Sequence, residues 1–197
     1  PMARATRAVF TMDWPPGANK KGYLPDEHLS LDFTVADATV KFLPDFPPVT
    51  NVTGVGHLKG NSLTMDVTGG KLNAWQVDEG KVVLPRFEPS GAMMSVNVMG
   101  RGGLRDLMRV LDASNLKVGS KYGLVVEQMG GTGGIDVRVD VPMKEIFPDS
   151  AVKYNIKGGF LNASAPDIVA GFGLVDSDVR FEVTQDAMSI SGAGKFG

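Results

Sequence analysis

Apolar and polar residues alternate along most of this chain with a period of two. Leu29, Leu31, Phe33 and Val35 alternate with Ser30, Asp32 and Thr34. Ala92, Met94, Val96 and Val98 alternate with Met93, Ser95 and Asn97. Ile135, Val137, Val139 and Val141 alternate with Asp136, Arg138 and Asp140, and Val179, Phe181 and Val183 with Arg180 and Glu182. Such alternation marks strands with one buried face. It predicts strands at about 8–14, 29–36, 38–43, 52–59, 62–67, 71–76, 80–85, 91–99, 121–128, 134–141, 151–158, 168–174, 177–184 and 187–193. Turn formers separate them, and Lys59-Gly60-Asn61-Ser62 reads as a hairpin turn. The pattern changes once. Leu104, Leu107, Met108 and Leu111 fall at i, i+3, i+4 and i+7, with Arg105, Asp106 and Arg109 opposite, which predicts one amphipathic helix over 103–112.

An imbalance follows. A sheet buries its apolar face against something, and one short helix is little cover for so many one-sided strands. Short strands with tight turns point to a sandwich or barrel. The 25 glycines point elsewhere, since Gly54, Gly56, Gly158, Gly159, Gly192 and Gly194 fall inside strand patterns. Glycine within a strand marks a bulge, a bend or a close approach. The fold class expected is therefore mainly β: an elongated, strongly curled antiparallel sheet, a taco-like groove, with one short amphipathic helix. The two halves are also loosely alike, setting Leu58 with Val183, Leu63 with Met188 and Met65 with Ile190.

Composition narrows the classes. The 197 residues suit one large domain or two small ones, and 43% hydrophobic against 21% charged residues is a globular balance. A net charge of −2 without a basic stripe argues against nucleic acid as a partner. Without cysteine there is no disulfide scaffold, thiol nucleophile or cysteine-ligated metal. No apolar run reaches the length needed to span a bilayer. The chain opens on Pro1 and stops beside a strand pattern, so the expectation is a fragment of a longer protein.

Catalytic candidates are weak on their residues. His28 lies in Asp26-Glu27-His28 and His57 in a strand; neither has a second ligand at metal spacing. Ser90-Gly91 and Ser191-Gly192 lack the frame of a nucleophile elbow. Asp176-Ser177-Asp178 is too short and too poor in carboxylates for calcium and reads as a hairpin turn. Gly100-Arg101-Gly102-Gly103 and Gly130-Gly131-Thr132-Gly133-Gly134 lack the Walker lysine, and flexible connection is the better reading. No catalytic residue, metal or cofactor is assigned. Methionines and phenylalanines on the apolar positions serve either core filling or promiscuous apolar binding.

The order of elements resembles a known family. Ala38-Thr39-Val40-Lys41-Phe42-Leu43-Pro44-Asp45-Phe46-Pro47-Pro48-Val49-Thr50-Asn51-Val52-Thr53-Gly54 is similar to the strand, Pro-Pro-hydrophobic-Thr and glycine-strand signature of the AsmA-like bacterial envelope proteins, the AsmA/TamB/YhdP type. Gly60 to Leu72, the helix with Ala113-Ser114-Asn115-Leu116, and the strand Gly134 to Met143 continue it. The resemblance covers 29–197, read as one β domain, and leaves 1–28 as a poorly assigned N-terminal segment. It carries no catalytic residues. It implies a periplasmic segment of an inner-membrane-anchored parent involved in outer-membrane biogenesis. It also implies a curled sheet whose concave apolar face carries acyl chains.

The function expected is a non-enzymatic segment of a lipid-transfer conduit. Its partners would be phospholipid or another acyl lipid and other segments of the same parent chain, with membrane contact through parts outside this fragment. The groove-lining positions would be Leu31, Phe33, Met65, Met94, Val96, Val98, Val137, Val139, Phe181 and Ile190. Leu104, Leu107, Met108 and Leu111 would cap one end. The other reading is a structural or interaction module with a closed core and no ligand.

Overall fold

A computed structural model describes residues 4–17, 22–41, 46–113, 117–169 and 172–196. Ten strands form a single antiparallel meander in which every strand pairs with its neighbour in sequence. They are β1 (Arg4–Met12), β2 (Leu29–Val40), β3 (Val49–Lys59), β4 (Leu63–Leu72), β5 (Trp75–Leu84), β6 (Met93–Gly103), β7 (Gly130–Pro142), β8 (Lys153–Val169), β9 (Phe172–Thr184) and β10 (Met188–Phe196). Between β6 and β7 lie the helix α1 (Leu104–Ala113), a five-residue helix α2 (Val118–Tyr122) and a 3₁₀ turn at Val126–Gln128. The sheet does not close: β1 and β10 are its two edges. Among the described residues there is no second sheet, so the sandwich or barrel reading of the short strands does not hold, and the sheet is open.

Several predicted breaks are strand interior instead. Residues 29–36 and 38–43 were expected to be separate strands, but β2 runs through to Val40; 42–45 lie outside the described residues. Likewise β8 is one strand of 17 residues where the expected strand ended at 158, and β9 runs through the break expected between 174 and 177. The cause is a set of bulges, each of which interrupts the period of two without ending the pairing. Register shifts occur at Val35/Ala38 in β2, Thr50/Thr53 in β3, Val77/Glu79 in β5, Gly130/Thr132 in β7, Phe160/Ala163 in β8 and Ala193/Lys195 in β10. Asp37, Asn51, Asn162 and Asp176 take positive φ at or beside these points, which short polar side chains tolerate.

Three further expectations are corrected. The stretch 121–128 is α2 and the 3₁₀ turn, not a strand; a short apolar run such as Leu124-Val125-Val126 does not by itself distinguish the two. The glycine runs are not flexible connections, because Gly102 pairs with Gly133 and Gly134 with Gly159 inside the sheet. Asp176-Ser177-Asp178 is not a hairpin turn but part of β9, with the Ser177 hydroxyl buried and donating to the Val175 carbonyl at 3.1 Å. The hairpin at 59–62 forms as expected, with Lys59 N–H donating to Ser62 O at 2.8 Å.

Loops seal the end of the sheet opposite α1. The Asp26 carboxylate accepts from Asn61 N–H and the Ser62 hydroxyl, both at 2.7 Å. Asn61 Oδ1 accepts from the Phe87 and Glu88 amides at 3.1 and 2.8 Å. Leu84 and Ala92 are buried nearby in sequence.

Candidate functional site

Directly paired residues of an antiparallel sheet point to the same face, so the register sorts every strand. One lane runs Phe33–Gly56–Met65–Val82–Val96–Val139–Tyr154 from β2 to β8. The next runs Val35–Gly54–Val67–Gly80–Val98–Val137–Ile156–Val183–Met188 from β2 to β10. Bulges in β4 and β5 reset the phase, so that Leu72, Trp75 and Val77 also fall on this face. Over the described, registered positions of all ten strands this face carries no ionisable side chain except the Tyr154 phenol. Nine spacings of ~4.8 Å make it roughly 43 Å across, measured along the sheet.

The opposite face is polar and pairs its own charges. His57 Nδ1 lies 2.7 Å from Asp32, Lys81 3.2 Å from Asp66, Arg101 3.3 Å from Asp78 and Lys157 3.2 Å from Glu182. Asn155 donates to Glu182 at 2.9 Å, and this bond, with Lys157, holds the Glu182 carboxyl below the usual carboxylate range. Two open depressions notch this face, one between Arg101, Asp136 and Lys157 over Gly134, the other between Asp66, Lys81 and Asn97. Their cations are held in ion pairs, so neither gathers free groups for chemistry. His28 sits 3.8 Å from Asp13. Ser90 N–H caps the Glu88 carboxylate at 3.1 Å, a turn contact. Ser191 is exposed opposite Arg180.

Aromatic rings lie flat on the apolar face because glycines stand opposite them. A Cβ at Gly56 would overlap the Phe33 ring. At Gly158 it would lie 2.8 Å from Phe181, and at Gly102 2.9 Å from the Trp75 indole. Trp75 and Phe160 meet edge to face with centroids 6.2 Å apart, and Phe160 stacks on Phe181 at 6.1 Å. Among the described residues the helix α1 covers this aromatic corner, while Ala38, Val52 and Leu84 are buried elsewhere on the same face. Leu104 and Leu107 of α1 pack on the cluster formed by Trp75, Phe160 and Ala163, with Ile135, Val179 and Phe181 around it. Trp75 is 3% exposed and Phe160 4%.

Away from that corner no second layer covers the face among the described residues. Its interior positions are mostly half-buried, with Ala38, Val52 and Leu84 buried, and exposure rises at the edges to 58% for Phe10 and 68% for Met188. Monomeric proteins rarely leave apolar patches above a few hundred Å² without a use.

All ten positions expected to line a groove lie on this face. Val96 pairs with Val139, Val98 with Val137, Met94 with Val141, and Phe181 with Ile190. Leu31, Phe33 and Met65 lie at the β2–β4 side. Nine of the ten are half-buried, and Ile190, on an edge strand, is 63% exposed. Of the four helix positions, Leu104 and Leu107 touch the sheet cluster. Met108 and Leu111 join a second cluster with Met129 and Ala165. Trp75, Val82, Ile156 and Phe160 belong to the same face and were not singled out, because their placement depends on register.

Comparison with known proteins identifies one family. The family described as YhdP protein matches over residues 4–170, from the start of β1 through β8. No curated protein and no solved structure matches.

Proposed function

The chain belongs to the YhdP protein family, and so to the AsmA-, TamB- and YhdP-type bacterial envelope proteins, and on that premise we propose that it is a non-enzymatic segment of an envelope lipid conduit. The observation that carries this reading is the charge-free face, ten strands wide, left without a second layer over most of its extent. A bilayer core of about 30 Å holds two acyl chains end to end, so the face is longer than one chain. Each methylene taken from water contributes about 0.8 kcal/mol. Binding of this kind needs no polar contact and allows a chain to slide between equivalent positions.

Curvature toward the apolar face belongs to the same proposal. Its support is that glycines on that face stand against bulged neighbours. A Cβ at Gly54 would overlap the Asp66 carbonyl, and one at Gly192 the Asp178 carbonyl. Bulges bend strands and increase twist. In this reading the segment serves in the periplasm as part of an inner-membrane-anchored parent, with phospholipid and neighbouring segments of the parent as partners.

Lipid extraction and native mass spectrometry of the purified protein test it. Co-purified phospholipid is expected. Val96→Asp and Val139→Asp each place a charge in the middle of the face and are expected to abolish capture while leaving the circular dichroism spectrum unchanged. A protein that purifies without lipid and takes none up from vesicles is instead a structural module. Unfolding of both variants would show that these side chains are enclosed.

A further inference from the structure

We infer that the described residues 104–113 and 117–129 form a hinged flap over the aromatic corner, and that an acyl chain displaces Leu104 and Leu107 from Trp75, Phe160 and Phe181 when it occupies the whole face. This rests on the lipid-binding reading above and adds a gate to it.

The flap has a narrow base and a body of its own. It leaves β6 at Gly103 and rejoins β7 at Gly130, on strands that are hydrogen-bonded neighbours, with Gly103 paired to Thr132. Gly131, at φ +110°, follows directly. Element-terminal positions of this kind absorb the backbone rotation of a hinge. Within the flap Met108 and Met129 pack with Leu111, Val118, Leu124 and Val126. Arg109 bonds Glu127 in a forked pair and Asp106 at 3.3 Å. Asp112 accepts from the Ser120 amide at 2.7 Å and its hydroxyl at 3.0 Å. Arg105 donates to the Met129 carbonyl at 3.0 Å. These side-chain bonds run from α1 to other parts of the flap.

The attachment to the sheet is of another kind. Leu104 and Leu107 meet the sheet through apolar contact. Trp75 Nε1–H donates to Gly103 O at 2.9 Å, at the hinge itself, so rotation beyond that point leaves the bond in place. Displacement would exchange leucine methyls for acyl methylenes on the same rings. Among the described residues the contacts it replaces are apolar, so it avoids the stranded polar group that is the usual large cost of opening a packed contact. Ala165 of β8 is, among the described residues, the sheet residue buried in the flap's own cluster.

The two tryptophans supply the test. Trp14 is 55% exposed and Trp75 lies beneath the flap; Trp14→Phe leaves Trp75 as sole reporter. The protein is incubated with vesicles of dibrominated phosphatidylcholine, whose bromines quench indole on contact, and bound lipid is counted by native mass spectrometry. Loss of most of the Trp75 emission is expected in step with bound lipid. Adding Leu107→Ala is expected to bring that loss at lower lipid. Bound lipid with Trp75 emission unchanged overturns the flap and leaves the conduit reading intact. No bound lipid overturns the conduit reading and the flap with it. Hydrogen exchange on the lipid-free protein gives a second arm. Amides of 104–113 and 117–129 are expected to open together while β6 and β7 stay protected; exchange of α1 only on global unfolding overturns the flap.

Discussion

Gly133 pairs with Gly102 on one side and Phe160 on the other. A Cβ there would overlap the Gly159 carbonyl and lie 2.8 Å from the Phe160 Cα. The neighbours are backbone atoms and cannot rotate away. Overpacking of this kind costs about 1–3 kcal/mol, so Gly133→Ala is expected to lower the denaturation midpoint clearly. Gly69 offers the contrast: its Cβ would meet only Thr53 Oγ1, at 3.2 Å. Gly69→Ala is expected to stay within about 0.5 kcal/mol of the parent. Equal midpoints for the two variants would contradict the close-approach account. At this scale the sequence showed which side chains share a face, because alternation is a property of neighbours along the chain. It did not show why the glycines are there. Gly56 serves Phe33 and Gly158 serves Phe181 across strands, and only the register brings each pair together.

The elements divide the same way. Leu104, Leu107, Met108 and Leu111 placed α1 to within a residue at each end, since a full i, i+3, i+4, i+7 stripe has no strand counterpart. Strand ends were less legible where Asp37 or Asn162 adds a residue and flips the phase. The two hairpins set side by side by their sequences do share a geometry: Leu58 pairs with Leu63, and Val183 with Met188. The flap adds a pH dependence. The Arg109 guanidinium holds the Glu127 carboxyl below its ordinary range, and the Ser120 amide does the same for Asp112. A carboxylate depressed in the folded state contributes stability above its unfolded value and loses it as pH falls through the folded one. Acidification into and below the ordinary carboxylate range is therefore expected to loosen the flap and red-shift Trp75 emission in the Trp14→Phe background. Glu127→Gln removes the charge that Arg109 grips and is expected to show part of that shift already at neutral pH. An emission maximum fixed across the titration would mean that this clasp does not hold the flap.

Among the described residues the molecule is one open sheet with two unlike faces. Ion pairs such as Asp66–Lys81 and Lys157–Glu182 keep one face wetted. The other gathers Val, Leu, Met and aromatic side chains from ten strands and covers a single corner with α1. The surplus of one-sided strands over helical cover was visible in the chain itself. That the strands form one open sheet was not, since alternation reads alike in a sandwich, a barrel or an open layer. The test that follows uses the two faces of β6. Val96 points to the apolar face, and its neighbour Asn97 to the polar one. Native mass spectrometry of lipid occupancy is measured for the parent, Val96→Asp and Asn97→Asp after identical exposure to phospholipid vesicles. The account predicts bound phospholipid on the parent and on Asn97→Asp, and none on a folded Val96→Asp. Equal occupancy in all three, or none in the parent, would contradict it.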